Sequence, residues 1–294
     1  MVVMDWEDKL VSVQQSDIIP GFGHREQDVQ KDSDEGYVVD RIATFRQNLP
    51  KHGVTLFSHR SAPNGFKVAV VLSELGIDYH TFNMDLQHHE ERLPSYVELN
   101  PNARIPSIID HDNDDFALWE SGAILEYLCR RPQTLEKCPE FAKQLLGGDN
   151  LQRQAEVSAW LYFQASGHAP IIGHALQFKS AQANVSSLGM SIIADRFAAE
   201  ARRVVAVLEV CLAEKREQLA TDERCTNEED YLECPVWLVG NDITLADLSF
   251  VPWNQVFAKV GISLEEDYPE VYKWNLRIMS RPKVMAALGF RPEN

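Results

Sequence analysis

The chain has 294 residues, a formal net charge of −16 and a 45% hydrophobic composition. That length allows two ordinary domains with a sizeable core, while so acidic a balance disfavours nucleic acid and anionic membranes as partners. The five cysteines are odd in number, scattered and without a CxxC pair, so neither a disulfide framework nor a metal site is expected.

Residues 1–50 are polar and irregular, with Gly21-Phe22-Gly23 and the acidic run Asp32-Ser33-Asp34-Glu35, and read as an N-terminal arm. Val38, Val39, Ile42 and Phe45 are the residues that would pin its end to the body. No basic stretch followed by an apolar one opens the chain, and no apolar run reaches the roughly 20 residues of a membrane span, so a cytoplasmic protein is expected.

A compact pattern occupies residues 51–132. Thr55–Ser58 reads as a short buried strand. Asn64–Leu75 reads as a helix with Phe66, Ala69, Val70 and Ser73 on one face, stopped by Gly76. Tyr79–Asp85 alternates as a strand. Glu90–Leu99 reads as a helix interrupted at Pro94. Ser107–Asp110 and Phe116–Trp119 are strands around the turn His111–Asp115, and Glu120–Arg131 is a helix ended by Pro132. The order strand, helix, strand, helix, strand, strand, helix predicts a small mixed α/β sheet whose last two strands form a hairpin. Residues 133–148 look like a linker.

Residues 149–294 read as all-helical. Helices are expected at Leu151–Ser166, Ile192–Leu219, Thr244–Phe257, Tyr268–Met279 and Pro282–Leu288, with residues 220–233 as a polar loop. Thr244-Leu245-Ala246-Asp247 has the form of a capping box. Asp247 is therefore read as structural, although a buried carboxylate invites a catalytic role.

Three segments of the first domain could carry chemistry. Ser61-Ala62-Pro63-Asn64 opens a helix, where unpaired N–H groups favour a thiolate and where Asn64 or Ser61 could donate to sulfur. Ordinary capping explains the same residues. Asn102-Ala103-Arg104-Ile105-Pro106 precedes a strand. A cis proline there would present the backbone of Ile105 to an extended ligand, whereas a plain loop proline would not. Trp119-Glu120-Ser121-Gly122 passes from strand to helix. Ser121 offers a carboxylate site and Glu120 a partner for an amine, with a simple acidic cap as the alternative. In the helical part, Trp160, Gln164 and His168 fall at i, i+4 and i+8 on one face, as a possible substrate wall or as buried packing. His168 is also a candidate acid.

The runs HRSAPNGFKVAVVLSELG, LNPNARIPSIIDH and WESGAILEYL, in this order, resemble the glutathione-binding half of glutathione transferases. The runs Ala159–Pro170 and Pro235–Gly240 continue the likeness, which covers about residues 53–290. Within the family, the chain is similar to a fungal branch of nitrogen-catabolite-repression regulators. The resemblance implies a thioredoxin-like N-terminal domain followed by a helical-bundle C-terminal domain, and a homodimer. It implies glutathione as co-substrate and no metal.

It also implies roles. Ile105, beside cis Pro106, pairs through its main chain with the cysteinyl part. Glu120 and Ser121 take the γ-glutamyl amine and carboxylate, Arg104 lies near the carboxylates, and Asn64 faces the sulfur. A basic residue commonly contacts the glycyl end in this branch. Glu91 stands there instead, below His88, so His89 or Arg92 would substitute. Trp160, Gln164 and His168 would line the place of a second substrate: an electrophile, a peroxide or a disulfide. The preferred expectation is an enzyme with peroxidase or thiol-transfer activity, because a neutral amide activates a thiol weakly. The alternative is a regulator that sequesters a transcription factor through its folded body. Asn48 is the sole Asn among residues 1–50, so no prion-like arm is expected.

Overall fold

The computed structural model describes residues 40–184, 188–219 and 234–289. Val38, Val39, the rest of residues 1–39 and the expected loop at 220–233 lie outside the described residues. In chain order the first elements are α1 (Arg41–Arg46), β1 (Val54–Ser58), α2 (Pro63–Leu75), β2 (Tyr79–Asn83), α3 (Pro94–Val97), β3 (Ser107–Asp110) and β4 (Phe116–Trp119). Helices follow: α4 (Ser121–Arg130), α5 (Pro132–Lys137), α6 (Pro139–Leu145), α7 (Leu151–Phe163), α8 (Ala169–Asn184) and α9 (Leu188–Leu219). The last are α10 (Leu245–Asn254), α11 (Leu264–Asp267), α12 (Pro269–Met279) and α13 (Pro282–Ala287).

The chain divides into two compact units. One runs to Ala62 and takes up His80–Trp119; the other takes Pro63–Tyr79 and everything from Glu120. The four strands form one sheet in the order β2-β1-β3-β4. β3 pairs antiparallel with β1, Leu56 opposite Ile108, and antiparallel with β4, Ile108 opposite Leu118, which is the expected hairpin. All of β1 and β3 is buried, the polar Thr55, Ser58, Ser107 and Asp110 included, so neither strand turns a face to solvent.

The core of the first unit is aromatic. Ile42, Phe57, Met84, Tyr96 and Ile109 are buried together, with Phe45 and Phe82 against them. The Phe45 ring meets Phe57 edge-on at 5.8 Å. Each such buried side chain contributes about 1.5–3 kcal/mol. Residues 41–46, expected to be irregular, are helical for this reason: Ile42 and Phe45, three apart, reach the same core. Asp40 caps the helix by accepting from the Ala43 N–H at 2.8 Å, and Arg41 pairs with Glu90 at 2.7 Å.

In the helical unit, α9 presents Ala201, Val204, Val205, Leu208 and Leu212 as one buried stripe. Residues 133–148, expected as a linker, contain α5 and α6. Both begin at a proline, tolerated at the first helical position, and α6 buries Ala142 and Leu145. Helix α8 was not expected. The helix expected to end at Ser166 instead passes through a π-helical turn at Gln164–His168 straight into α8, with Pro170 in its first turn, where proline is tolerated.

Helix α2 packs against α4, α10 and α13. It ends where expected, at Gly76 with φ +63°, with the Ile77 N–H closing on the Leu72 carbonyl at 2.9 Å. Its last turn is clamped from far along the chain. Arg281 grips Glu74 through two nitrogens at 2.7 and 2.8 Å, and Lys283 donates to the Glu74 carbonyl at 2.8 Å.

Among the described residues no helix is long and apolar enough to cross a membrane. Cys129, Cys138, Cys211 and Cys234 are free thiols. Burial pushes the Cys129 thiol up to about 12, so it is inert near neutral pH.

Candidate functional site

In the first unit, the segment before β3 is fixed by two buried side chains. The Tyr96 hydroxyl donates to the Arg104 carbonyl at 2.8 Å, and the Asn100 amide donates to the same oxygen at 2.6 Å. The Asn100 oxygen accepts from the Asn102 N–H at 2.9 Å. With its one hydrogen spent on Arg104, Tyr96 accepts from the Ser107 hydroxyl at 2.9 Å. Burial lifts this phenol to about 12, so it stays a donor at any ordinary pH. Ala103 sits at φ +53°, and the Ile105–Pro106 peptide is cis, as expected. Arg104 is exposed, Ile105 half-buried and Pro106 buried. Tyr96 and Asn100 were not anticipated, although Asn100-Pro101-Asn102 is a dense turn signal.

The other residues expected here are already engaged. Ser61 pairs with the His59 ring at 2.7 Å, which makes it a less available donor to sulfur than Asn64. His89 stands at φ +54°, with Nδ1 3.4 Å from Glu91. Arg92 lies 3.4 Å from the same carboxylate oxygen. Both basic candidates for the glycyl end thus rest on Glu91. His88 pairs with Asp85 at 2.7 Å.

In the second unit, α2 and α4 begin beside a buried polar cluster. Asn64 is half-buried, and its carbonyl oxygen accepts from the Trp253 indole N–H at 2.8 Å. That bond fixes the amide plane and leaves the NH2 as the group it can offer. Glu120 precedes α4 at φ +68°, ψ 110°. A non-glycine residue there is backbone strain of about 1–3 kcal/mol, held in place by the surrounding fold. Its carboxylate is exposed, while Ser121 is 7% exposed.

Behind Ser121 lies Lys67, wholly buried. Its ammonium donates to the Gln164 oxygen at 2.6 Å and to the Ser121 hydroxyl at 3.2 Å. Burial brings it down to about 7, opposed by the nearby Glu120 carboxylate. The sequence reading missed this residue. The available signal was a lone cation in FKVAVVLSEL, a helix apolar on nearly every side.

Gln164 and His168 are both fully buried, so neither faces an electrophile; this corrects the expectation that they form a substrate wall. The π-helical turn widens the helix between them and breaks the simple i, i+4 spacing. Gln164 serves Lys67. The His168 ring packs edge-on against Phe250 at 4.7 Å and Phe257 at 5.6 Å. Neither of its nitrogens has a hydrogen-bond partner, and the Gln164 amide nitrogen and Asn254 oxygen also lack one. Burial pushes His168 down to about 3; the Asn254 side chain opposes the shift without reaching hydrogen-bonding geometry, and Lys67 adds to it. His168 is therefore neutral near pH 7 and is no proton donor. Trp160 remains half-buried, 6.1 Å from Phe250.

Asp247 is structural, as expected. Its carboxylate accepts from the Leu238 N–H at 2.9 Å, the Thr244 N–H at 2.8 Å, the Thr244 hydroxyl at 3.0 Å and the Trp274 indole at 2.9 Å.

Comparisons with known proteins agree with this architecture. Residues 52–130 match the glutathione S-transferase N-terminal domain, and residues 197–282 match the glutathione S-transferase C-terminal domain. The chain is 48% identical over 265 residues to Protein URE2 of Eremothecium gossypii, spanning 85% of this chain and 72% of that one. It is similar to a solved structure of Ure2p in complex with glutathione, with 47% identity, a TM-score of 0.76, and coverage of 84% of this chain and 98% of that one. The nitrogen regulation fragment of the yeast prion protein Ure2p aligns with a TM-score of 0.71 at 47% identity, covering 82% of this chain and 98% of the fragment. A glutathione transferase of Phanerochaete chrysosporium, URE2P6, in complex with oxidized glutathione, aligns at 33% identity and a TM-score of 0.64, covering 80% and 94%.

Proposed function

We propose, from the premise that this chain belongs to the glutathione S-transferase family and resembles its Ure2 members, that it is a glutathione-binding regulator of nitrogen metabolism which holds a transcription factor through its folded body. The carrying observation is the likeness to a fragment named for nitrogen regulation, matched along 98% of its length at 47% identity. This reverses the preference drawn from sequence, where the enzyme stood first.

Glutathione is held, in this reading, by the roles the resemblance assigns. The cysteinyl part pairs with the main chain of Ile105 beside Pro106. Glu120 and Ser121 take the γ-glutamyl amine and carboxylate, with Arg104 near the peptide's carboxylates and His89 at the glycyl end. The exposed Glu120 carboxylate and the Ser121 hydroxyl at a helix start support the γ-glutamyl assignment. A homodimer is part of the proposal, supported by Leu151 and Tyr162 of α7, each 75% exposed.

A second reading, glutathione-dependent turnover of peroxides or disulfides, is favoured by one observation. The Trp253 bond commits the Asn64 oxygen and presents its NH2 as a hydrogen-bond donor for sulfur. Two measurements test the pair. A pull-down with a GATA-type transcription factor should retain it at micromolar protein; no retention sinks the regulatory reading. Glutathione titrated calorimetrically into wild type and Asn64→Ala should bind both, with peroxide turnover about tenfold lower in the variant. Equal turnover in the two would remove Asn64 from sulfur activation.

A further inference from the structure

We infer that Lys67 is a positioning residue for the glutathione carboxylate, acting through the Ser121 hydroxyl, and that it makes glutathione binding proton-linked. The inference rests on the proposed glutathione reading and extends it with a residue behind the ligand-facing surface.

The geometry sets the direction of every hydrogen. As an ammonium, Lys67 has three donors and no acceptor. One goes to the Gln164 oxygen at 2.6 Å and one to the Ser121 oxygen at 3.2 Å. Ser121 then accepts from behind, so its own hydrogen is left for a carboxylate at the start of α4. Once Lys67 loses its proton, the amine has a lone pair, and the Ser121 hydroxyl can turn inward to donate to it. The outward donor and the positive charge behind the helix start disappear together. Gln164 cannot take over the role. Its oxygen must face the ammonium, because its NH2 would set donor against donor.

Few other charges bear on Lys67. Glu120, at the start of α4, raises its proton affinity. A bound amine would engage that carboxylate, one residue further from Lys67 than the hydroxyl that takes the ligand carboxylate. From the π-helical turn, His168 is neutral near pH 7. From α10, Asp247 spends its carboxylate on Leu238, Thr244 and Trp274. From the α13 side, Arg281 and Lys283 are occupied at Glu74, in the last turn of α2. Burial brings Lys67 close to neutral pH, so a ligand carboxylate arriving at Ser121 draws a proton onto it from solvent.

The probe is S-hexylglutathione, which carries no thiol to confuse the proton count. Calorimetry in two buffers of different ionisation enthalpy should show proton uptake on binding at pH 7.5. Affinity should fall about three- to tenfold between pH 6 and pH 8. Lys67→Met, of similar shape and uncharged, should bind about tenfold more weakly at pH 6 and lose that uptake. Carbon-13 lysine NMR on wild type needs no variant. One lysine should titrate near neutral pH and move to higher pH with ligand bound, and an unmoved resonance overturns the inference even where Lys67→Met does not fold. Binding with equal proton uptake in wild type and variant overturns the inference alone. No binding of S-hexylglutathione or glutathione by wild type overturns the glutathione reading, and the inference with it.

Discussion

Asp247 and Lys67 are both buried without exposure in the helical unit, and they are treated in opposite ways. Asp247 receives four donors and closes a capping box. Lys67 shares its surroundings with Gln164, His168 and Asn254, each of which has at least one atom with no partner. A fully satisfied buried network fixes a fold, whereas a partly satisfied one costs stability and persists where something else needs it. The contrast separates a carboxylate that is architecture from a lysine that is poised for use.

The sharpest way to break the contrast is Asp247→Ala. It strands the Leu238 and Thr244 amides and the Trp274 indole, so urea unfolding should show a loss of about 3–5 kcal/mol. A loss below about 1 kcal/mol would mean that the capping box is dispensable.

Lys67 gives the next effect, in the opposite sense. Its proton is held weakly in the folded chain, at about 7 against an ordinary 10.5. Between those values the unfolded chain binds more protons, so wild-type stability should rise with pH above 7, by at most about 1.4 kcal/mol per pH unit. Lys67→Met should abolish that rise. The same slope in both proteins would place the titrating group elsewhere.

The smallest effect belongs to His168, held at about 3 against an ordinary 6.5. The unfolded chain again binds more protons, so stability should decline as pH falls from about 6.5 towards 3. His168→Leu should remove this part of the decline and gain about 1 kcal/mol at pH 7, because an unpartnered ring is exchanged for an apolar one. A marked loss in thermal unfolding would show that the ring is bonded after all.

Much of the fold was legible because it rests on local signals. The strand and turn residues of 107–119, Gly76 and the Thr244–Asp247 box each act within a few positions. The residues around Glu120, Ile105 and Asn64 were legible for the same reason, since helix starts and a proline mark them. Lys67 and Trp253 were not. Their meaning comes from partners far along the chain, such as Gln164, 97 residues from Lys67, and Asn64, 189 from Trp253. Helix α8 escaped for a different reason: a π-helical turn let a helical path continue through residues that normally end one.

The clamp on Glu74 bears on how the molecule is made. Helix α2 carries Asn64 and Lys67 near its start, yet Arg281, which grips its final turn, comes 207 residues after Glu74. During synthesis at about 5–20 residues per second, that interval is at least ten seconds, in which the nascent helix lacks its downstream anchor. The start of α2, with Asn64 and Lys67, is therefore completed only late in synthesis, once Arg281 has reached Glu74.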